Sequence, residues 1–551
     1  MKTISVALLL AVVSTAARAE RQRATALVGG KIFTADPERP WASAVAMRGD
    51  SILAVGDDGP VLRAAGDDAV VYDLQGRTVV PGMNDAHVHV LLPRGIYLNS
   101  PAFVPGPGPT LQDVQGMLAG AAGQVPPGAW LFVVVGTAVL DDANATRLAL
   151  DPVSAANPVW LQGWSGHGTV LNSAAISALG LAQDEPDPFG GSYERVPGTQ
   201  LLTGVVHEYA EYRIWRALFG TMSDAELIAQ YQAAAVQALQ VGYTSWQDMA
   251  VGLPHDRAVR VLRAAGLPLR VRSICLQLEP NEGCAFERAK EGSGDMVTPS
   301  GIKWITDGTP IERRAFLDED YADRPGVRGS FNLPANRMAE ILDQSLDGSP
   351  HQRQLLFHGV GDGAIDTLLD ALDASGGHEV WSGRRTRIEH GDLLFSNNYA
   401  RAASNGVTVV QNGRHLALTA VFAQRFTPAI FSQLEPLQSL LTAGIPVALG
   451  TDGIGQVVSP WLDVFLVSIH PTHPSEALSV EQAVTAYTRG SATAEFQEHR
   501  KGTLSRGMLA DLAVLSQDPF SLPPPALPGT RSLMTVVGGR ILYDAGVLHP
   551  R

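Results

Sequence analysis

The chain has 551 residues, 45% apolar and 17% charged, with a formal charge of −14 and two cysteines. That length accommodates a large catalytic domain with an accessory one, and the composition is that of a globular enzyme rather than a disordered chain. An acidic balance with no basic cluster argues against a nucleic-acid partner. Cys275 and Cys284 are too few for a cysteine-rich zinc site or a disulfide framework. They either close one small loop in an oxidising compartment or remain two buried thiols.

The first 19 residues read as a cleavable signal peptide. Lys2 precedes an apolar stretch over residues 6–13, and Ala17-Arg18-Ala19 offers a small-x-small cleavage site before Glu20. The stretch is too short to cross a bilayer as a helix, and no cysteine follows the cleavage site to take a lipid anchor. The expected location is periplasmic or secreted.

Residues 20–77 alternate short apolar runs with turns, at 26–28, 31–33, 44–47 and 51–55. Gly29-Gly30 and Gly49-Asp50 supply hairpin-type turns. Residues 501–551 have the same texture, at 512–515 and 534–543. Neither end can bury a core alone, so the two are expected to pair into one small β-sandwich of structural purpose.

Residues 78–500 alternate strand-like and helix-like segments, which predicts an α/β fold, a parallel sheet closed as a (β/α)8 barrel. Eight runs qualify: one around Val79, then 243–248, 269–274, 302–305, 355–358, 387–390, 407–411 and 446–452. Ser223 and Glu226 form a capping box for a helix whose apolar face is Leu227, Ile228, Tyr231, Ala235 and Leu239, ended by Gly242. A similar stripe of Ile365, Leu368, Leu369 and Leu372 follows His358, after a loop in which Gly361 and Gly363 flank Asp362. The stretch from about 91 to 222 is too long for a barrel loop and contains strands of its own, at 130–135 and 159–161. It reads as an insertion over the barrel mouth, with His167 and Glu208 as candidates to face the pocket.

The run Pro81-Gly82-Met83-Asn84-Asp85-Ala86-His87-Val88-His89 carries the first chemical signal. Strand alternation puts His87 and His89 on one face, within reach of one ion. A lone H-x-H is weak, since surface and core histidines produce it by chance. The chain then supplies Lys303 inside its run and His358, His390 and Asp452 at the ends of theirs, each of the last three followed by glycine. In a (β/α)8 barrel the chemistry gathers where strands end. A buried histidine, a surface lysine or an aspartate in a turn would be ordinary singly; five such strand ends point to a shared site.

In this order the residues resemble the amidohydrolase superfamily of metal-dependent hydrolases, and more closely its amidohydrolase-3 branch of YtcJ-like proteins. The resemblance also rests on Ser165-Gly166-His167 with Asn172-Ser173-Ala174, Thr203-Gly204-Val205, Asp307-Gly308 with Arg314-Ala315, Gly361-Asp362 and Glu389-His390. Thr451-Asp452, Gly502-Thr503-Leu504 and the segment Gly507 to Leu512 complete it. One departure is Gln411-Asn412-Gly413-Arg414-His415, where the family reads closer to Gln-Pro-x-His. That segment is expected at the substrate end of the pocket, so Arg414, His415, His167, Glu208 and Trp246 are the substrate-binding candidates.

The expected metal ligands are His87, His89, Lys303, His358, His390 and Asp452, enough for two divalent ions, zinc being the first expectation. A divalent ion lowers the pKa of bound water to roughly 7 and supplies hydroxide at neutral pH. Two ions need an anionic bridge, which an ammonium cannot provide. The resemblance implies that Lys303 is carboxylated to a carbamate, which the sequence alone does not show; plain pairing of Lys303 with Asp307 or Glu389 is the alternative. Asp452 suits a second task, taking a proton from the attacking hydroxide and passing it to the leaving group.

The resulting expectation is a hydrolase of non-peptide C–N bonds in a small-molecule substrate. A lactonase or esterase using the same site is the alternative within enzymes. A non-catalytic periplasmic binding protein is the alternative outside them, and it has no use for six potential ligands. Homo-oligomerisation is compatible with the chain.

Overall fold

The computed structural model describes residues 23–100, 106–279, 282–284, 286 and 296–551; the expected signal peptide lies outside them. Eight consecutive neighbours form one parallel array: Met83–His89, Tyr243–Met249, Arg270–Leu276, Val297–Ile305, Leu355–Gly359, Arg387–His390, Thr408–Gln411 and Val447–Leu449. The chain then continues through Gly450, Thr451 and Asp452 into the short strand Gly453–Ile454, which pairs parallel with Met83–His89. The last run thus hydrogen-bonds to Thr408–Gln411 on one side and to the first strand on the other. Gly450 is required where they meet, because a Cβ there would lie 2.4 Å from His87 N.

The first of these strands is not the apolar run around Val79. Thr78–Pro81 pairs parallel with Lys31–Phe33 and antiparallel with Leu512–Leu515, so the sheet built from the chain ends extends past the boundary expected at residue 77. At Gly82 the chain passes from one sheet to the next. Its N–H bonds Asp511 O, and any Cβ would strike the Thr244 side chain at 2.1 Å. A run buried on both faces carries no alternation to say which sheet it joins.

That terminal sheet has the order Arg540–Asp544, Ser532–Val537, Leu512–Leu515, Thr78–Pro81, Lys31–Phe33, Trp41–Ala42. A four-stranded sheet of Ser51–Gly56, Ala44–Arg48, Thr25–Val28 and Val70–Asp73 accompanies it. Leu27, Val45, Val79, Leu512, Val514 and Val536 share one core. Gly49-Asp50 is the expected hairpin turn, between Arg48 and Ser51. Gly29-Gly30 is not: Thr25–Val28 and Lys31–Phe33 lie in different sheets, so this pair carries the chain across rather than back.

Between Met83–His89 and Tyr243–Met249 stands a further six-stranded sheet, in the order Gly191–Arg195, Leu202–Glu208, Gly168–Leu171, Val159–Gly163, Leu131–Val135, Ile96–Tyr97. It has its own core around Val114, Leu118, Val133 and Leu161. Helix Tyr209–Gly220 leads out of it, and helix Asp224–Val241 follows with the Ser223–Glu226 capping box and the left-handed Gly242 at its end. Helix Asp362–Ala374 starts directly at Asp362, where a loop was expected, and buries Ile365, Leu368, Leu369 and Leu372. No helix among the described residues is long and apolar enough to cross a membrane. Cys275 and Cys284 are joined in a disulfide.

Candidate metal centre

Four strands bring four histidines and a lysine to one end of the parallel array. His87 and His89 end the first strand, Lys303 lies near the end of Val297–Ile305, and His358 and His390 close theirs. Asp452 sits in the break of the last run, its N–H bonded to His87 O at 2.7 Å. All six border one cavity. His390 and Asp452 have φ of +72° and +50°, a left-handed backbone uncommon for side-chain-bearing residues and concentrated at functional sites.

The tightest group is His87, His89 and Asp452. Asp452 Oδ1 lies 3.4 Å from His87 Nε2 and 3.3 Å from His89 Nε2. One ligand atom from each falls within 4.8 Å of the others. His390 and His358 lie beyond, with ring centroids 5.0 Å from His87 to His390 and 4.5 Å from His390 to His358. Lys303 is 2% exposed, and its side chain has neither hydrogen bond nor ion pair among the described residues.

Buried partners fix these rings. His87 Nδ1 meets Glu389 Oε2 at 2.6 Å, His89 Nδ1 meets Met249 O at 3.2 Å, and His390 Nδ1 meets Asn412 Oδ1 at 2.7 Å. In each case the opposite nitrogen is left for another partner, an arrangement that suits a metal-ligating imidazole. Burial holds His87 down at about 4, and Lys303 adds to the effect. Burial and neighbouring cationic groups hold His358 and His390 well below the usual imidazole range. Neutral imidazoles keep the lone pair that coordination needs. Burial would raise Asp452, but His415, His87, His89 and His390 outweigh it and keep the carboxylate ionised. The donor set therefore fits a divalent cation.

The substrate-binding candidates divide. His167 lines the cavity, its ring 4.4 Å from that of His358, with Nδ1 2.9 Å from Glu208 Oε2 and Nε2 3.2 Å from Tyr212 Oη. Burial would lower it, but Glu208 prevails and brings it to about 8. Glu208 borders neither this cavity nor the next and meets the site through His167. Arg414 and His415 line a second cavity, shared with His167, His358, His390 and Asp452. Arg414 donates to the carbonyls of Thr451 and Asp452 at 2.9 and 2.8 Å. His415 Nε2 lies 3.8 Å from Asp452 Oδ2, close enough that His415, His390 and Asp452 form a second compact donor group.

Trp246 is a correction. It borders neither cavity and is packed into the apolar core. Its neighbour Gln247 meets Arg272 and Arg387 in the interior of the array, and strand alternation turns Trp246 to the opposite face. The aromatic wall comes instead from helix Tyr209–Gly220, as Tyr212, Trp215 and Phe219, with Tyr231 from the next helix. Sequence reasoning did not select these residues, although the i, i+3, i+7 spacing of Tyr212, Trp215 and Phe219 marks a shared face. Asp307, which the sequence offers as a possible partner for Lys303, does not meet it within ion-pair distance among the described residues. It instead accepts from the N–H groups of Phe316, Val360 and Gly361.

The profile of the Amidohydrolase family matches residues 70–543, and the chain belongs to that family. It is 27% identical over 546 residues to the N-substituted formamide deformylase of Arthrobacter pascens, covering 94% of this chain and 98% of that one. It is 26% identical over 424 residues to the YtcJ protein of Bacillus subtilis, covering 72% of this chain and 76% of that one. Among solved structures, an uncharacterized metal-dependent hydrolase from Pyrococcus horikoshii superposes with a TM-score of 0.68 at 19% identity, covering 91% of this chain and 99% of that one. At that identity the likeness is one of fold.

Proposed function

We propose that the protein is a metal-dependent hydrolase that cleaves the C–N bond of an N-substituted amide, a formamide among the first to test. The observation that carries this reading is the group His87, His89 and Asp452, with His358, His390 and Lys303 beside it, at the floor of a chamber walled by Leu91, Trp215, Phe219, Val251 and Leu276. The likeness to a formamide deformylase over nearly the whole chain favours C–N over C–O cleavage. The apolar wall suits an uncharged, bulky N-substituent.

His87, His89 and Asp452 would hold one divalent ion, and His358 and His390 a second, zinc being our choice for both. Lys303, brought down to about 8 chiefly by burial, has the partly neutral amine that reaction with carbon dioxide requires, and its carbamate would bridge the pair. Such ions supply an acidified water and polarise the substrate carbonyl. The chain's own residues do the rest. Asp452 accepts the proton of the attacking water and returns it to the departing amine. His167, held by Glu208, faces the substrate from the other side, and Tyr212 limits its swing. Trp215 and Phe219 keep bulk water from the leaving group.

We read the eight-strand array as a closed (β/α)8 barrel, supported by a β-sandwich from both chain ends and covered by the insertion. The Cys275–Cys284 disulfide supports export to a periplasmic or extracellular location. The test is a panel of N-alkyl and N-aryl formamides, longer N-acyl amines, lactones and aryl esters, assayed on the metal-loaded mature chain. Release of amine from the first two groups, abolished by chelation and restored by zinc, is expected. Turnover of lactones or esters alone would overturn the C–N assignment.

A further inference from the structure

The second cavity reaches a pair of buried acids that the proposed reaction does not use. Glu435 and Asp392 are 0% and 1% exposed, and Glu435 N donates to Asp392 O at 2.8 Å. Neither carboxylate oxygen of Glu435 has a hydrogen-bond partner among the described residues, nor has Asp392 Oδ1. Asp392 Oδ2 meets His415 Nδ1 at 2.9 Å. One oxygen from each acid and one ring nitrogen of His415 fall within 4.8 Å of one another.

Buried polar atoms without partners are rare, and each calls for a proton, a water or an ion. Here the surroundings supply only part of the missing charge. Asp463 is a further acid nearby, and His415 is the neighbour that opposes these charges. Two carboxylates balance one divalent cation in charge. Burial would lower His415, but Asp392 and Asp452 hold it well above the usual imidazole range, so its ring becomes a nitrogen donor by giving up a proton to make way for the ion. The access is present as well, since Asp392 and His415 both line the second cavity.

We propose that Asp392, His415 and Glu435 form a further divalent-cation site, separate from the centre at His87, His89 and Asp452. One imidazole with two carboxylates suits zinc or manganese better than calcium, which takes six to eight oxygens. The three residues come from separate segments: the turn after Arg387–His390, the short helix Gly413–Leu418 and the approach to helix Leu437–Thr442. An ion here ties those segments together. It also fixes the His415 ring, whose other nitrogen faces Asp452; its role is positioning.

Anomalous diffraction from crystals of the full mature chain soaked in zinc chloride locates the ion directly. A peak is expected within ~2.0–2.3 Å of Asp392, His415 and Glu435 donor atoms, in addition to density at His87 and His89. Density at His87 and His89 with none at Glu435 overturns this site and leaves the principal centre standing. Failure of the principal centre reads differently, as density at Glu435 without density at His87. In parallel, Glu435→Gln should lose one zinc per chain relative to wild type after loading and desalting. An unchanged zinc count with a raised Tm means the two acids share a proton instead, and overturns the proposal. Where the variant does not fold, the wild-type diffraction decides alone.

Discussion

His87 Nδ1 lies 2.6 Å from Glu389 Oε2, although the two residues are 302 positions apart in the chain. Arg387 grips the same carboxylate from behind, with Nε 2.7 Å from Oε1 and a terminal nitrogen 2.8 Å from Oε2. Burial would raise Glu389, yet Arg387, His87 and Lys303 together keep it well below the usual carboxylate range. A permanently ionised acid therefore sets the tautomer of His87 and turns Nε2 toward Asp452.

Glu389→Gln should weaken metal binding by the ~10–100-fold typical of losing such a partner. It should also lower the Tm, because Arg387 loses its buried counter-ion. Competition with a chromophoric chelator measures the first effect. Wild-type affinity in a folded variant would remove the orienting role from Glu389.

Asp452→Asn separates ligation from proton transfer. The amide oxygen still coordinates weakly, so most of the metal should remain, while turnover falls by ~10²–10⁴-fold. His89→Ala, which deletes a candidate ligand, should lose metal and turnover together. Near-normal turnover by a metal-replete Asp452→Asn protein would move the proton to another group, with His167 examined first.

The chamber wall can be narrowed at Val251, which borders the cavity and is 9% exposed. Val251→Phe should raise KM for amides with bulky N-substituents by about ten-fold or more. Small N-methyl substrates should be unaffected beyond a stability cost of ~1–3 kcal/mol from overpacking. Equal losses for both substrate sizes would mean that the substituent binds elsewhere.

Asp463 makes stability depend on pH. Burial raises its carboxyl from the ordinary 3.8 to about 7, against the pull of Arg414 and the Tyr487 hydroxyl. A folded pKa above the unfolded one gives stability that is full below about pH 4 and declines as pH rises through about 7. The slope in that window is at most ~1.4 kcal/mol per pH unit. Asp463→Asn should flatten that part of the profile of urea midpoint against pH. A wild-type profile that rises over the same window would contradict the assignment.

The six candidate ligands were legible because each ends or nearly ends an apolar run, and strand ends gather on one side of a parallel array. Their supporting partners were harder to see. Asn412 meets His390 from the following strand's end, and nothing in its local sequence marks that meeting. Trp246 was misplaced for a related reason: an aromatic beside a polar residue in a buried strand gives no sign of which faces inward. Thr78–Pro81 went to the wrong sheet because residues buried on both faces lack an alternating pattern. The wall of the chamber was overlooked because Tyr212, Trp215 and Phe219 sit on a helix outside the strand-end logic that found the ligands.

Helix Tyr209–Gly220 emerges from the inserted sheet, yet it walls the chamber above residues contributed by the parallel strands. The candidate metal ligands and most of the aromatic wall are thus encoded in separate stretches of chain that meet only in space. On the proposed function, changes at Trp215 and Phe219 would alter the fit of the substrate while leaving the six candidate ligands in place. A laboratory library confined to that helix should therefore shift substrate preference without loss of bound metal.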